Sequence, residues 1–163
     1  MTVDLQGNVY VADSYNHRIR KIDKNRMVTT VAGSGASGNN AGGFADGPAN
    51  QARFNTCTSI FVLPNGDILA GDGSNQRVRK ISNGMVSTFA GTGATGFLDG
   101  PAKQATFNFP RGIAMFPGDT TKFYVIDYTN NAIRTIKKEG ASGIFTLAEN
   151  LEAKAFPNPA KDK

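Results

Sequence analysis

Short apolar runs alternate with turn-forming residues along most of the chain, and this pattern favours β-strands over helices. In the middle of the sequence the runs predict four strands, at about 59–63, 67–72, 77–82 and 86–90. The breaks between these runs are rich in residues that favour tight turns: Pro64-Asn65-Gly66, Asp72-Gly73-Ser74-Asn75 and Ser82-Asn83-Gly84. Nineteen glycines among 163 residues fit a chain with many turns, so the pattern predicts an all-β fold.

The four-strand pattern is one unit of an internal repeat. The run from Gly7 to Asp13 returns from Gly66 to Asp72, and a third, looser copy ends at Asp127. Each copy leads into a run of polar and aliphatic residues: Arg18-Ile19-Arg20-Lys21-Ile22, Arg77-Val78-Arg79-Lys80-Ile81 and Ala132-Ile133-Arg134-Thr135-Ile136. Four short strands in each repeat, joined by long connections, are typical of the blades of a β-propeller.

The run from Gly7 to Ile22 resembles the signature of the NHL repeat, and the resemblance extends to about residue 150. It implies a β-propeller, commonly six-bladed. We therefore predict four-stranded antiparallel blades, about three in this chain, which is half of a six-bladed ring. The predicted division places blade 1 at about 1–54, blade 2 at about 55–107 and blade 3 at about 108–150. Residues 151–163 would form a tail or begin a further connection.

Charged residues recur at fixed positions of the repeat. Asp13, Asp72 and Asp127 end the second strand of each unit, where a carboxylate could cap the following turn by accepting backbone N–H groups. Arg18 and Arg77 begin the third strand, where their stems would pack while the guanidinium groups pair with acids or reach solvent. Recurrence in successive units favours a structural role over a binding site.

A second recurring element has the pattern Asp-Gly-Pro-Ala-x-Gln-Ala-x-Phe. Asp46 and Asp99 open its two copies, and we predict that they form the N-caps of a helical turn whose proline lies in the first turn. Phe54 and Phe107 close the copies, and they are expected to anchor the connection in the core.

Candidate binding residues come from the positions that differ between units. In a propeller blade, the hairpin between strands two and three emerges on the same face as the connection between blades. This loop-bearing face comprises the turns 14–17, 73–76 and 128–131 and the connections 33–55 and 91–108. Its non-repeated aromatic and basic residues are Tyr15, His17, Arg53, Lys103, Arg111 and Tyr128. Such side chains suit a protein, a peptide, a glycan or single-stranded RNA.

Catalytic chemistry has little support in the sequence. His17 is the only histidine and Cys57 the only cysteine, and we predict neither a catalytic set, nor a metal site, nor a cofactor. Cys57 lies in an apolar run and is expected to be a buried thiol. The glycine-rich loop at 34–43 is open to two interpretations, a ligand-closing loop or an insertion.

Charge and the chain termini bear on partners and location. A net charge of +5 keeps RNA open as a partner, whereas no stretch of the sequence predicts a signal peptide or a membrane span. The compartment stays open, secretion included.

The first unit begins inside its first strand, so we expect either a piece of a longer propeller or a head-to-tail homodimer that closes a six-bladed ring. We favour the homodimer. The run from Phe156 to Ala160 also resembles the opening of a type IX secretion sorting domain.

These observations favour a non-catalytic propeller that binds a protein, peptide or glycan on its loop-bearing face. Binding without catalysis is a role that the resemblance implies and that the spacing of residues does not show. Two alternatives stay open at this point: an RNA-binding propeller with a mildly basic face, and a lyase or hydrolase that acts at the central channel.

Overall fold

The computed structural model describes residues 1–34, 42–137 and 143–146. In these ranges the regular elements are antiparallel β-strands and two short 3-10 turns, Ser14–Asn16 and Gly73–Asn75. The strands form three consecutive sheets, so the prediction of an all-β chain built from propeller blades is confirmed. The predicted tail at 151–163, the Phe156 to Ala160 run and most of the 34–43 loop lie outside the described residues.

Each sheet contains the strands of one repeat. Blade 1 consists of β1 (Thr2–Val3), β2 (Val9–Asp13), β3 (Arg18–Ile22) and β4 (Val28–Ala32). Blade 2 consists of β5 (Gly47–Pro48), β6 (Cys57–Val62), β7 (Ile68–Asp72), β8 (Arg77–Ser82) and β9 (Met85–Ala90). Blade 3 consists of β10 (Gly100–Pro101), β11 (Pro110–Phe116), β12 (Asp119–Asp127), β13 (Ala132–Lys137) and β14 (Gly143–Thr146).

Blades 2 and 3 each carry a fifth, two-residue strand that the sequence did not predict. β5 pairs with β9, and β10 pairs with β14, so each Gly-Pro element lies at the outer edge of the blade that follows it. Proline lacks a backbone donor and is tolerated at such an edge. Gly47–Pro48 therefore belongs to the sheet of blade 2, although the sequence division counts it within the first unit.

The Asp-Gly-Pro element does contain a single helical turn, in which the amides of Gln51 and Ala52 donate to the Pro48 carbonyl. The predicted N-cap role of Asp46 is nevertheless wrong. Its carboxylate accepts hydrogen bonds from Arg79 and Thr88 of the blade, because the element is extended where the aspartate lies. Phe54 and Phe107 are fully buried, as expected of anchors.

Two apolar cores hold the blades together. The first joins blades 1 and 2 and includes Ile19, Phe54, Ile68 and Ile81. The second joins blades 2 and 3: Leu69, Val78, Phe107, Phe123 and Ile136. Each blade thus has an incoming face, which packs on the blade before it, and an outgoing face, which packs on the blade after it. In the described part of the chain, no helix is long and apolar enough to cross a membrane.

Candidate functional site

A buried ion network fastens each connection to its blade. The Arg79 side chain is fully buried in blade 2, and its Nη1 donates to Asp72 Oδ2 at 2.7 Å and to the Arg53 carbonyl at 3.1 Å. Its Nη2 donates to the Ala45 carbonyl at 2.8 Å and to the Asp46 carboxylate. One guanidinium therefore binds two acids and two backbone carbonyls, which fixes the connection before β6.

Blade 3 repeats this network with its own residues. Arg134, also fully buried, donates to Asp127 Oδ2 at 2.8 Å and to the carbonyls of Thr106 and Leu98 at 2.9 Å. The same guanidinium forms an ion pair with Asp99. The network is thus a structural unit of the repeat and not a binding site, since the same contacts recur from blade to blade.

The repeated aspartates do not accept the backbone N–H groups of their own hairpin turns, so the capping role predicted for them from the sequence is wrong. Asp72 Oδ1 accepts the amide of Asn55 at 2.7 Å, and Asp127 Oδ1 accepts that of Asn108 at 2.7 Å. Both amides belong to the preceding connection, which runs beside the turn. Within the turn itself the carboxylate binds a side chain, that of Asn75 in blade 2. In blade 1, Asp13 likewise accepts the Asn16 side-chain amide.

In blades 1 and 2, the last residue of the hairpin turn accepts a hydrogen bond from the next blade, a contact that we call the latch. His17 and Gln76 both have left-handed backbones, with φ of 53° and 54°. His17 Nδ1 accepts the amide of Thr56 at 3.0 Å, and Gln76 Oε1 accepts the amide of Phe109 at 2.6 Å. His17 is only 6% exposed, so the structure places this predicted binding residue inside the contact between blades 1 and 2.

The other predicted binding residues lie on the surface: Tyr15, Arg53, Lys103, Arg111 and Tyr128. Two of them meet, because the Arg111 guanidinium lies 4.5 Å from the centre of the Tyr128 ring. The Phe109 ring lies 6.4 Å from the same tyrosine. Tyr15, which is 75% exposed, belongs to the turn of blade 1, and Lys103 belongs to the connection before blade 3. Arg53 donates to the Gly42 carbonyl at 3.1 Å.

The Arg111–Tyr128 pair occupies repeat positions that are small in blade 2. There, Thr58 corresponds to Arg111 and donates to the Pro110 carbonyl of blade 3 at 2.9 Å. Gly73 corresponds to Tyr128, and a Cβ atom on Gly73 would lie 3.2 Å from the Phe109 ring. Arg111 and Tyr128 therefore lie at the rim where the outgoing face of blade 3 meets the loop-bearing face, and that rim is bulkier than its equivalent in blade 2.

Two exposed aromatic residues were missed by the sequence analysis. The Arg77 guanidinium lies 4.0 Å from the centre of the Phe44 ring, and Arg134 lies 4.9 Å from the Phe97 ring. Burial, together with the nearby charge of Arg79, lowers the pKa of Arg77. Phe44 and Phe97 are 44% and 51% exposed. The signal was present in the sequence, since a phenylalanine stands two residues before both copies of Asp-Gly-Pro.

Cys57 is fully buried, and burial raises the pKa of its thiol. A thiol without access to solvent is a poor nucleophile and packs as a small apolar group. Across residues 1–34 and 42–137, no three His, Cys, Asp or Glu side chains form a group that could hold a metal ion.

Comparison with known proteins decides the family. The profile of the NHL repeat matches residues 1–22. NHL repeat-containing protein 2 of Bos taurus is 30% identical over 168 residues, a match that covers 91% of this chain and 22% of that protein. This chain belongs to the NHL-repeat family. The curated relatives that the NHL-repeat chain matches are far longer, and it spans between 5% and 22% of their length.

Solved structures resemble the NHL-repeat chain in fold over most of its length. A structural genomics protein of unknown function from Bacteroides thetaiotaomicron is 26% identical, with a TM-score of 0.70. The match covers 79% of this chain and 32% of that structure. An auxiliary nutrient binding protein from the same organism is 25% identical, with a TM-score of 0.66, and the match covers 85% of this chain and 35% of that structure.

Proposed function

We propose that this NHL-repeat chain is part of a non-catalytic binding propeller that takes up a protein, peptide or glycan on its loop-bearing face. The observation that carries the proposal is the Arg111–Tyr128 pair, at 4.5 Å beside Phe109. It is the place where two of the predicted binding residues come together. Similarity to an auxiliary nutrient binding protein supports a role in ligand capture.

The scaffold beneath this face suits binding. Buried Arg79 and Arg134 fix both connections, and the Gln76 latch holds the turn of blade 2 against blade 3. Rigid support lets exposed side chains bind without a large loss of conformational entropy. A guanidinium beside aromatic rings offers hydrogen-bond donors and an apolar plane together, which fits a carboxylate-bearing peptide or a sugar ring.

The experiment is a binding comparison with three labelled probes: a hexaglutamate peptide, maltohexaose and a single-stranded oligo(U) RNA. Fluorescence anisotropy should show saturable binding of the peptide or the sugar. We expect Arg111→Ala and Tyr128→Ala each to weaken that binding about tenfold, the loss expected for one well-formed cation–π or charge-assisted contact. Lys122→Ala is the matched control, because Lys122 lies 4.4 Å over the Phe116 ring near the opposite end of β12.

The same measurements separate the alternatives. Tight binding of the RNA alone, with an affinity that falls steeply as salt rises, would replace the proposal with the RNA-binding one. Mass spectrometry of the peptide and sugar after incubation should recover them intact. A cleaved probe would overturn the non-catalytic assignment, and equal losses in the Lys122 variant would overturn the assignment of the site.

A further inference from the structure

The latch between blades 1 and 2 contains the only histidine of the chain. His17 Nδ1 accepts the amide of Thr56 at 3.0 Å, and this bond needs a lone pair on that nitrogen. The ring is therefore neutral in the closed contact and carries its hydrogen on Nε2. Nε2 is buried and has no hydrogen-bond partner among the described residues, so a second hydrogen on the ring would add a second unpaired donor.

The cations near the ring oppose a positive charge on it. The connection before blade 2 lies against the imidazole, since a Cβ atom on Gly42 would be 3.1 Å from His17 Cε1. The Arg53 guanidinium donates to the carbonyl of the same glycine at 3.1 Å. Arg18 follows the histidine directly and begins β3. Protonation would thus bring a third positive charge into a region that already holds two.

The neighbouring elements offer no anion to the ring. Three acids lie in the turn, the connection and blade 2, and all of them bind other groups: Asp13 the side chain of Asn16, and Asp46 and Asp72 the guanidinium of Arg79. In the described part of the chain, none of the ion pairs involves His17. The Cys57 thiol, which follows Thr56, stays neutral because burial raises its pKa.

Protonation of His17 would break the latch. Nδ1 would become a donor facing the N–H of Thr56, and a charge would be placed on a residue that is 6% exposed. One other hydrogen bond joins the same turn to blade 2, from Ser14 Oγ to the Cys57 carbonyl at 2.6 Å. The turn would therefore keep a single polar tie to the next blade.

The latch between blades 2 and 3 has the same geometry without the titratable group. Gln76 has a left-handed backbone like that of His17, and its Oε1 accepts the Phe109 amide at 2.6 Å. A glutamine amide does not titrate between about pH 5 and 8, whereas histidine does. The two contacts should therefore respond differently to acid.

We propose that the contact between blades 1 and 2 is a pH-sensitive joint, in which protonation of His17 breaks the latch and loosens blade 1 from blade 2. The closed joint holds the neutral ring, whereas the open joint exposes a ring that can take up a proton. Acid therefore favours the open joint, and the closed joint keeps its full stability above about pH 6.5, where an exposed histidine titrates. The joint between blades 2 and 3 stays closed. Opening changes how the turn 14–17 meets the connection on the loop-bearing face.

Cys57 provides the test, because it is the only cysteine and is fully buried in the core between blades 1 and 2. N-ethylmaleimide labels the full chain and the His17→Gln variant at about pH 7.5 and about pH 5.5, on either side of histidine titration. The ratio of the two labelling rates cancels the pH dependence of thiol reactivity and of Asp72, whose pKa is raised by burial. We expect a ratio near 1 at the higher pH and about 10 at the lower pH, since one bound proton changes the opening equilibrium up to about tenfold per pH unit. A ratio that stays within about twofold of 1 at both values would overturn the proposal.

An exposed histidine is the matched control. Tyr15 lies on the same turn and is 75% exposed, so Tyr15→His in the His17→Gln variant restores one histidine without burying it. This variant should be labelled at the same rate as His17→Gln at both pH values. Acceleration in acid equal to that of the parent chain would show an effect of histidine charge without the latch, and would overturn the proposal.

Hydrogen exchange tests the joint in the parent chain alone. After correction for the intrinsic exchange rates, protection of the Thr56 amide should fall about tenfold between the two pH values. Protection of the Phe109 amide, which Gln76 accepts, should stay the same. Equal losses at the two amides would show that acid weakens both joints alike and would overturn the assignment to His17.

Discussion

Blades 1 and 2 have nearly the same sequence in their third strands and share the aspartate that ends their second strands, but they differ in what covers them. Arg79 is fully buried among two acids and two carbonyls, whereas Arg20 is partly exposed and bonds to Thr30 of its own sheet. Val86 is 2% exposed and Val28 is 50% exposed. The repeat therefore specifies the hairpins within a blade, and burial of its charged network depends on the preceding connection.

The outgoing faces of blades 2 and 3 differ in the size of their side chains, which are small in blade 2 and large in blade 3. Gly71 and Gly73 let blade 3 approach closely, since a Cβ on Gly71 would lie 2.9 Å from the Pro110 carbonyl oxygen. Blade 3 has Ile126 and Tyr128 at those positions, 47% and 51% exposed. A blade that docked on blade 3 in the same geometry would collide with these side chains. A blade could therefore pack on blade 3 only in a geometry that differs from the two contacts inside the chain.

The largest expected difference between blades 1 and 2 is in the free energy of unfolding when their equivalent arginines are substituted. Arg79→Met removes one partner of a buried pair and leaves Asp72 without its counter-charge, which should cost about 3–5 kcal/mol in free energy of unfolding. Arg20→Met removes a single hydrogen bond at a partly exposed site and should cost about 1 kcal/mol. Urea denaturation measures both, and equal losses would contradict the difference in burial on which the comparison rests.

An intermediate effect is expected when the rim of blade 2 is made like that of blade 3. Gly73→Tyr places a large ring against Thr58 and Phe109, and overpacking of this kind should cost about 1–3 kcal/mol in free energy of unfolding. Tyr128→Gly, the reverse change in blade 3, should cost no more than about 1 kcal/mol, because it removes mainly an exposed cation–π contact. Thermal or urea unfolding of the two variants checks the asymmetry, which would fail if Gly73→Tyr were neutral.

The strands of blade 2 were predictable because turn residues mark their ends. The predicted strand at 77–82 coincides with β8, and the prediction for 67–72 differs from β7 by one residue. The two-residue strand Gly47–Pro48 could not be found in this way, since it is too short to show alternation of polar and apolar positions. Its pairing with β9 depends on residues far along the chain.

The candidate site was less predictable than the fold. The sequence marked Arg111 and Tyr128 as non-repeated residues, but their contact depends on the pairing of β11 with β12. His17 looked like an exposed turn residue because polar neighbours surround it in sequence. Its left-handed backbone turns the ring toward Thr56, and such a conformation has no clear signature in a Ser-Tyr-Asn-His run. The binding roles of the surface residues stay predictions.

The smallest expected effect concerns the latch between blades, where blade 1 uses histidine and blade 2 uses glutamine. Glutamine and methionine have similar shapes, but only the glutamine carbonyl is a strong acceptor. His17→Gln should therefore change the free energy of unfolding by less than about 0.5 kcal/mol, since Gln76 makes the same bond in the same backbone conformation. His17→Met leaves the Thr56 amide without its acceptor and should cost about 1–2 kcal/mol.

Urea denaturation of the two His17 variants measures what the hydrogen bond to the Thr56 amide contributes to stability. Gln76→Met measures the same contribution for the hydrogen bond to the Phe109 amide. Equal destabilisation by glutamine and methionine at position 17 would show that ring packing, and not the hydrogen bond, holds blade 2 to blade 1. Ligand binding gives an independent reading of the same variants. If His17→Gln kept full stability but lost affinity for a probe that the parent chain binds, the imidazole would be a binding residue despite its burial.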